Sequence, residues 1–219
     1  DQLCFNSSIK EEKEDKEKNL LIRTLKLGII SDTKYDILKA WIDYYRDDSP
    51  KINQLIKKAQ QQGDAARLNN LIYQRGILYS DKMHRPHDAI KDLRAFLILN
   101  PDNAHAQNSL GYTLLSQPET MNEGFDLITK AYQAQPESAA INDSMGWAYF
   151  QKGDYETAKI YLEYAYKNEP NAEIAAHLGE LYWKLGDTEQ AKKIWKESWL
   201  QNKNDFILQK TLKNYQIRF

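Results

Sequence analysis

From about residue 69 to residue 204 the chain alternates long stretches, in which apolar positions recur three and four apart, with short polar breaks. That spacing puts the apolar side chains on one face of a 3.6-residue helix, and the breaks are too short for anything but hairpin turns between helices. Nine Gly and six Pro in 219 residues are too few for an all-β chain, which needs a turn about every 8–12 residues. We therefore read the chain as all-α. Residues 205–219 place Phe206, Leu208, Leu212, Tyr215 and Phe219 among Lys and Gln at near-helical spacing, which predicts one more helix closing the end. Before the regular stretch, residues 19–68 carry Leu20, Leu21, Leu25, Ile29, Ile37, Leu38, Trp41, Ile42 and Tyr45, which suggest two or three N-terminal helices. Residues 1–18 end in the charged run KEEKEDKEK, with Glu12–Lys16 and Glu14–Lys18 at i,i+4, and read as a charged tail or frayed helix.

The helical stretch repeats itself. Gly146, Tyr149, Gly153-Asp154, Ala158 and Leu162 are followed 33 residues later by Gly179, Tyr182, Gly186-Asp187, Ala191 and Trp195. Backwards, Gly111 stands 35 before Gly146, and Ala131 and Pro136 stand 34 before Ala165 and Pro170; Gly76, Tyr79, Ala89, Leu93, Phe96 and Pro101 stand 35 before a further set. A fixed period determines architecture, because each unit is one helix pair that buries its apolar face only against its neighbours. Small residues at Gly146, Ala158 and Ala165 let the paired helices approach, Tyr149 and Leu162 fill the space between them, Asp154 can cap the second helix, and Pro170 ends it.

This pattern resembles the tetratricopeptide-repeat (TPR) family, a 34-residue helix-turn-helix carrying W-x2-L-G-x2-Y, then Ala, Phe and Pro. Residues 139–171 match most closely, with Asn142 where the leading Trp would stand and Leu162 for Phe. The wording N-S-L-G-Y-T-L at Asn108–Leu114, D-S-M-G-W at Asp143–Trp147 and E-I-A-A-H-L-G-E at Glu173–Glu180 is similar to a group of Gram-negative bacterial TPR proteins. The resemblance implies a helical solenoid with about four repeats over 69–204, capped by 205–219, and a scaffold that binds protein partners and is not an enzyme. The group is often made with an export signal, which implies the periplasmic side of the bacterial cell envelope, with the cytoplasm as the alternative. The chain starts at Asp1 and not Met, so a cleaved or fragment form is expected, with any leader or lipid anchor lying upstream.

Charge sharpens the choice of partner. The formal net charge of -1 conceals a net of +3 over residues 1–100, -8 over 101–187 and +4 over 188–219. An acidic middle disfavours nucleic acid, whose phosphates need clustered cations, and leaves room for a basic peptide. A single cysteine, Cys4, permits no internal disulfide and no cysteine-rich zinc site.

Chemistry has few footholds. His84 and His87 flank Pro86 in a turn and lack the four ligands of a structural metal site. His177 and Glu180 form a lone H-x-x-E pair, for which peptide contact is the more economical role than a metal or a reaction. No phosphate loop, nucleophile elbow or H-E-x-x-H is present, so no metal or cofactor is expected. In TPR proteins the groove is lined by first-helix positions 2, 5, 9, 12 and 13. The resemblance therefore implies partner-binding roles for Asn108, Tyr112, Asp143, Trp147, Phe150, Glu173, Glu180 and Trp183, with His177 beside them. Trp147, Phe150 and Trp183 lie off the buried stripe set by Asn142, Met145, Gly146 and Tyr149, which suits them to recognition. The alternative is that they pack against a neighbouring repeat. Two functions follow: an adaptor holding a peptide or helix of a partner in its concave groove, with envelope assembly or secretion as the setting, or a structural self-association module of a larger chain.

Overall fold

The computed structural model describes residues 50–81 and 85–219. The expectations for residues 1–18, for helices before residue 50 and for His84 lie outside the described residues. The chain divides into two compact units, residues 1–78 and 79–219, the division passing through one long helix.

In the first unit, α1 (Pro50–Gln61) and the start of α2 (Ala65–Asp81) form a hairpin. Ile52, Ile56 and Ala59 of α1 share one face and pack with Leu71 of α2, with Leu55, Leu68 and Ile72 at the edges. Gly63 supplies the turn with φ +66°, a backbone conformation that costs a side-chain-bearing residue energy.

The second unit contains α3 (Pro86–Leu99), α4 (Ala104–Leu114), α5 (Met121–Ala134), α6 (Ala139–Gln151), α7 (Tyr155–Asn168), α8 (Ala172–Lys184), α9 (Thr188–Gln201) and α10 (Phe206–Asn214). The pairs α4/α5, α6/α7 and α8/α9 are antiparallel hairpins, one per repeat. Of their start signals, Asp154 is the one read from sequence. Asn103, Asp154, Asn171, Asp187 and Asp205 each cap the helix that follows, accepting from the amide three residues on. Gly153 and Gly186 take φ +81° and +89° before the second helices of their repeats.

The predicted small-residue crossings are present. A Cβ on Gly146 would lie 2.5 Å from Cγ and 2.9 Å from Cδ2 of Leu162. One on Gly179 would run into the Trp195 indole, and Gly111 and Gly124 face each other, a Cβ on the first reaching 2.7 Å from the carbonyl oxygen of the second. Tyr149 fills the space between repeats, edge-on to Phe125 of α5 at 5.2 Å and stacked on Tyr161 of α7 at 5.6 Å. Asn142, which stands where a family Trp is usual, is buried and donates to the carbonyls of Pro136 (2.7 Å) and Ser138 (2.8 Å), while Gln107 makes the equivalent bond to Pro101 one repeat earlier (2.6 Å). An amide that ties a first helix to the turn before it thus replaces an aromatic that would fill the same space.

Successive first helices α4, α6 and α8 touch one another, and each second helix packs against the first helix of the next repeat. The first helices form the inner row of this unit. The terminal helix α10 packs more on α8 than on α9 and closes the end of the last repeat. Its buried stripe is Leu208, Thr211 and Leu212, with Tyr215 behind it against Trp183 and Trp195. Two expectations for this segment are corrected. Phe206 is 56 % exposed and Phe219 is 39 % exposed, because the helix ends at Asn214 and the 208/211/212/215 spacing, not the one through Phe206 and Phe219, turns inward.

Candidate functional site

The inner row carries most of the residues proposed for partner contact, and the structure divides them into two groups. The first is built from one residue of α4, three of α6 and one of α8. The Asp143 carboxylate accepts from Nδ1 of His177 at 2.9 and 3.0 Å, and Nε2 of His177 meets the Tyr112 hydroxyl at 3.2 Å. Trp147 lies one turn after Asp143 on α6, stacks on the His177 ring at 4.1 Å and on Phe150 at 4.8 Å. With the Gln151 amide oriented to suit both neighbours, it accepts from Trp147 Nε1 (2.8 Å) and donates to the Leu115 carbonyl (3.1 Å). Three successive repeats therefore meet in one cluster, and its outer members Tyr112, Trp147 and Phe150 are half-buried.

Asp143 and His177 differ from the expectation of groove-exposed polar residues, since they are only 5 % and 4 % exposed. The cause is position in the solenoid. An isolated amphipathic helix buries one stripe, whereas α6 is enclosed by α4, α5, α7 and α8 and buries Ile141, Asn142, Asp143, Ser144, Met145, Gly146 and Ala148 in nearly unbroken succession. Polar groups in such a helix must find internal partners, because an unpaired buried carboxylate is far costlier than a paired one. The Asp143–His177 pair satisfies both. Burial lowers the pKa of the ring, yet the Asp143 charge and hydrogen bond, with Glu173 and Glu180 adding to them, leave it above the ordinary histidine value.

The second group belongs to the cap. Glu180 accepts from Thr211 (3.1 Å) and Tyr215 (3.3 Å) of α10, and Trp183 lies 5.7 Å from Trp195 and 5.3 Å from Tyr215. These two are thus engaged by the last helix, which is the neighbour-packing alternative. Burial and the Glu180 charge push the Tyr215 hydroxyl up to about 12, so it remains a donor across the ordinary range. His177 and Glu180 send their hydrogen bonds to different helices and form no joint ligand pair. Asn108 lies on α4 with its Oδ1 buried and without a hydrogen-bond partner, and Glu173 stands half-buried at the start of α8. Among the described residues no three His, Cys, Asp or Glu side chains are grouped to hold a metal ion, and no described helix is long and apolar enough to cross a membrane.

Sequence reasoning missed the internal ties. Asp143 and His177 are 34 residues apart, one period plus one, and Tyr112 is 65 before His177. Complementary polar residues on first helices at a spacing near the repeat period are the signal that would have found them.

Comparison with known proteins agrees with this architecture. Residues 80–139 and 149–214 each match the tetratricopeptide repeat, and the chain belongs to the tetratricopeptide-repeat family. A TPR repeat-containing protein of Pseudomonas aeruginosa is 42 % identical over 111 residues, 51 % of this chain but only 19 % of that protein, so the chain aligns with about a fifth of its relative. Among solved structures, a thermophilic TPR protein of Thermus thermophilus superposes with a TM-score of 0.67 at 15 % identity, covering 84 % of this chain and 100 % of that one. MamA from Desulfovibrio magneticus gives 0.55 at 18 % identity, covering 80 % and 98 %. At such identities these two relationships speak to the fold. Family members are in general scaffolds for protein–protein interaction, and bacterial origin is suggested by the Pseudomonas relative.

Proposed function

We propose that the inner row of the second unit is a docking face for an apolar segment of a protein partner, with Tyr112, Trp147 and Phe150 as its anchors. The observation that carries this is the Trp147–Phe150 stack, half-buried yet fixed by His177 on one side and by the Gln151 amide at the indole nitrogen. Rigid aromatics bind with little further loss of side-chain freedom, which is why such groups dominate interface energetics. The net charge of -8 over residues 101–187 favours basic residues in the partner, acting on encounter rate more than on final affinity. Glu180 contributes to that field from an internally bonded position. Catalysis plays no part in this reading, and a place in bacterial envelope assembly or secretion is its setting.

The test is affinity capture from a native lysate with wild type beside Phe150→Ala, with the fold of both checked by circular dichroism. Loss of one specific partner supports the face, with truncation of an anchor costing about 2 kcal/mol or more. A folded Phe150→Ala protein that keeps every wild-type partner sinks the assignment. A second reading, self-association, is favoured by Leu200 and Phe206, large apolar side chains 61 % and 56 % exposed. Light-scattering mass that rises with concentration would select it.

A further inference from the structure

The docking proposal uses the central imidazole only as a stacking surface for Trp147, and its hydrogen bonds point to a separate role. His177 projects from α8, reaches Asp143 on α6 with Nδ1 and Tyr112 on α4 with Nε2, and stacks on Trp147. We propose that His177 is a pH-sensitive tie whose protonated ring locks the first helices of three successive repeats in register, and that losing its proton loosens the inner row.

The geometry allows both protonation states but does not treat them alike. The imidazolium donates Nδ1–H to Asp143 and Nε2–H to Tyr112, making a neutral buried ion pair. After deprotonation, Nδ1–H is retained by Asp143, Nε2 becomes an acceptor, and the Tyr112 hydroxyl turns to donate to it. Both hydrogen bonds survive, so no steric collapse is needed. What changes is charge: the Asp143 carboxylate is left buried without its cation. The charges acting on the ring are all acidic, Asp143 from α6 and Glu173 and Glu180 from α8 itself; α4 contributes the neutral Tyr112 hydroxyl, and α10 engages Glu180 through Thr211 and Tyr215. Their combined effect outweighs burial and raises the ring above its ordinary value. A group with a raised folded-state pKa contributes stability that is complete below the unfolded value, about 6.5, and is lost as pH rises through the folded value. The window is therefore neutral to mildly alkaline.

The experiment uses the protein without any partner, so it succeeds or fails apart from the docking face. The Cε1–H resonance of His177, assigned by its disappearance in His177→Gln, is followed against pH in wild type. Thermal unfolding is then compared between wild type and the charge-free pair Asp143→Asn/His177→Gln. We expect a ring midpoint above about 6.5 and a wild-type Tm that falls by roughly 2–4 °C between about pH 6 and 9, with that fall absent from the double variant. A midpoint at or below the ordinary value, or the same fall in the double variant, overturns the proposal. Should the double variant not fold, the wild-type ring titration decides it alone.

Discussion

Replacing Gly146 by Ala tests the repeat packing most directly, because two opposing terms can be set against each other. In the interior of α6 an alanine has the better intrinsic helix propensity, worth about 1 kcal/mol over glycine. Against this, the new methyl would stand 2.5 Å from Leu162 Cγ, 2.9 Å from Cδ2 and 3.1 Å from the Ala158 carbonyl oxygen. Leu162 cannot swing clear, since it is fully buried beside Ala158, Ala175 and Leu178, and the near atom is its branch point. Overpacking of this kind costs about 1–3 kcal/mol. The net is a destabilisation of up to about 2 kcal/mol, or a Tm lowered by up to about 8 °C at 2–4 °C per kcal/mol. The decisive measurement is a double-mutant cycle with Leu162→Ala. That change alone should cost about 2–5 kcal/mol through lost burial and a cavity. It also clears the space in front of residue 146, so adding Gly146→Ala to it should stabilise. The sign of the Gly146→Ala effect therefore reverses between backgrounds, a coupling of about 1–3 kcal/mol. If Gly146→Ala raises Tm in the wild-type background, or costs the same in both, the α6/α7 contact is not the close crossing described.

Two further outcomes follow from the same packing. Deleting residues 205–219 should expose Trp183 and Trp195 and leave Glu180 without its two hydroxyl donors, giving a lower melting temperature and aggregation seen by size-exclusion chromatography; a monomer with unchanged melting would show that α10 is no cap. Asp143→Ala should cost about 3–5 kcal/mol in chemical denaturation, as removal of one partner of a buried pair does, and an exposed-site cost below about 1 kcal/mol would place Asp143 outside the core.

The features legible in the sequence are those that recur at the period. Gly146 and Gly179 meet Leu162 and Trp195 in equivalent crossings, and Asp154 and Asp187 cap equivalent helices, because each repeat solves the same local problem with its own residues. What a single repeat cannot encode was not legible. The cap is such a case: its stripe depends on the shape of the α8/α9 end, so Tyr215 turns toward Trp183 and Trp195 while Phe206 faces outward. Glu180 and Trp183 appeared to be surface residues from the spacing of α8 alone, and the helix that engages them lies a whole hairpin further along the chain.

The same limit explains the buried polar cluster and bears on function. A helix in the inner row has its own second helix, the second helix of the preceding repeat and the neighbouring first helices around it, so little of its circumference is left for a partner. On α6, Ala140, Trp147, Tyr149, Phe150 and Gln151 are the positions not fully buried. Three of those five are aromatic: Tyr149 is taken up by Phe125 and Tyr161, Trp147 and Phe150 stack on each other, and the polar residues around them are already hydrogen-bonded within the protein. Polar specificity on this helix would therefore have to come from groups the fold has already committed, and the remaining free energy for association lies in apolar area. An inner row of this composition is suited to recognising the shape and apolar content of a segment, with the surrounding negative charge selecting its sign from a distance.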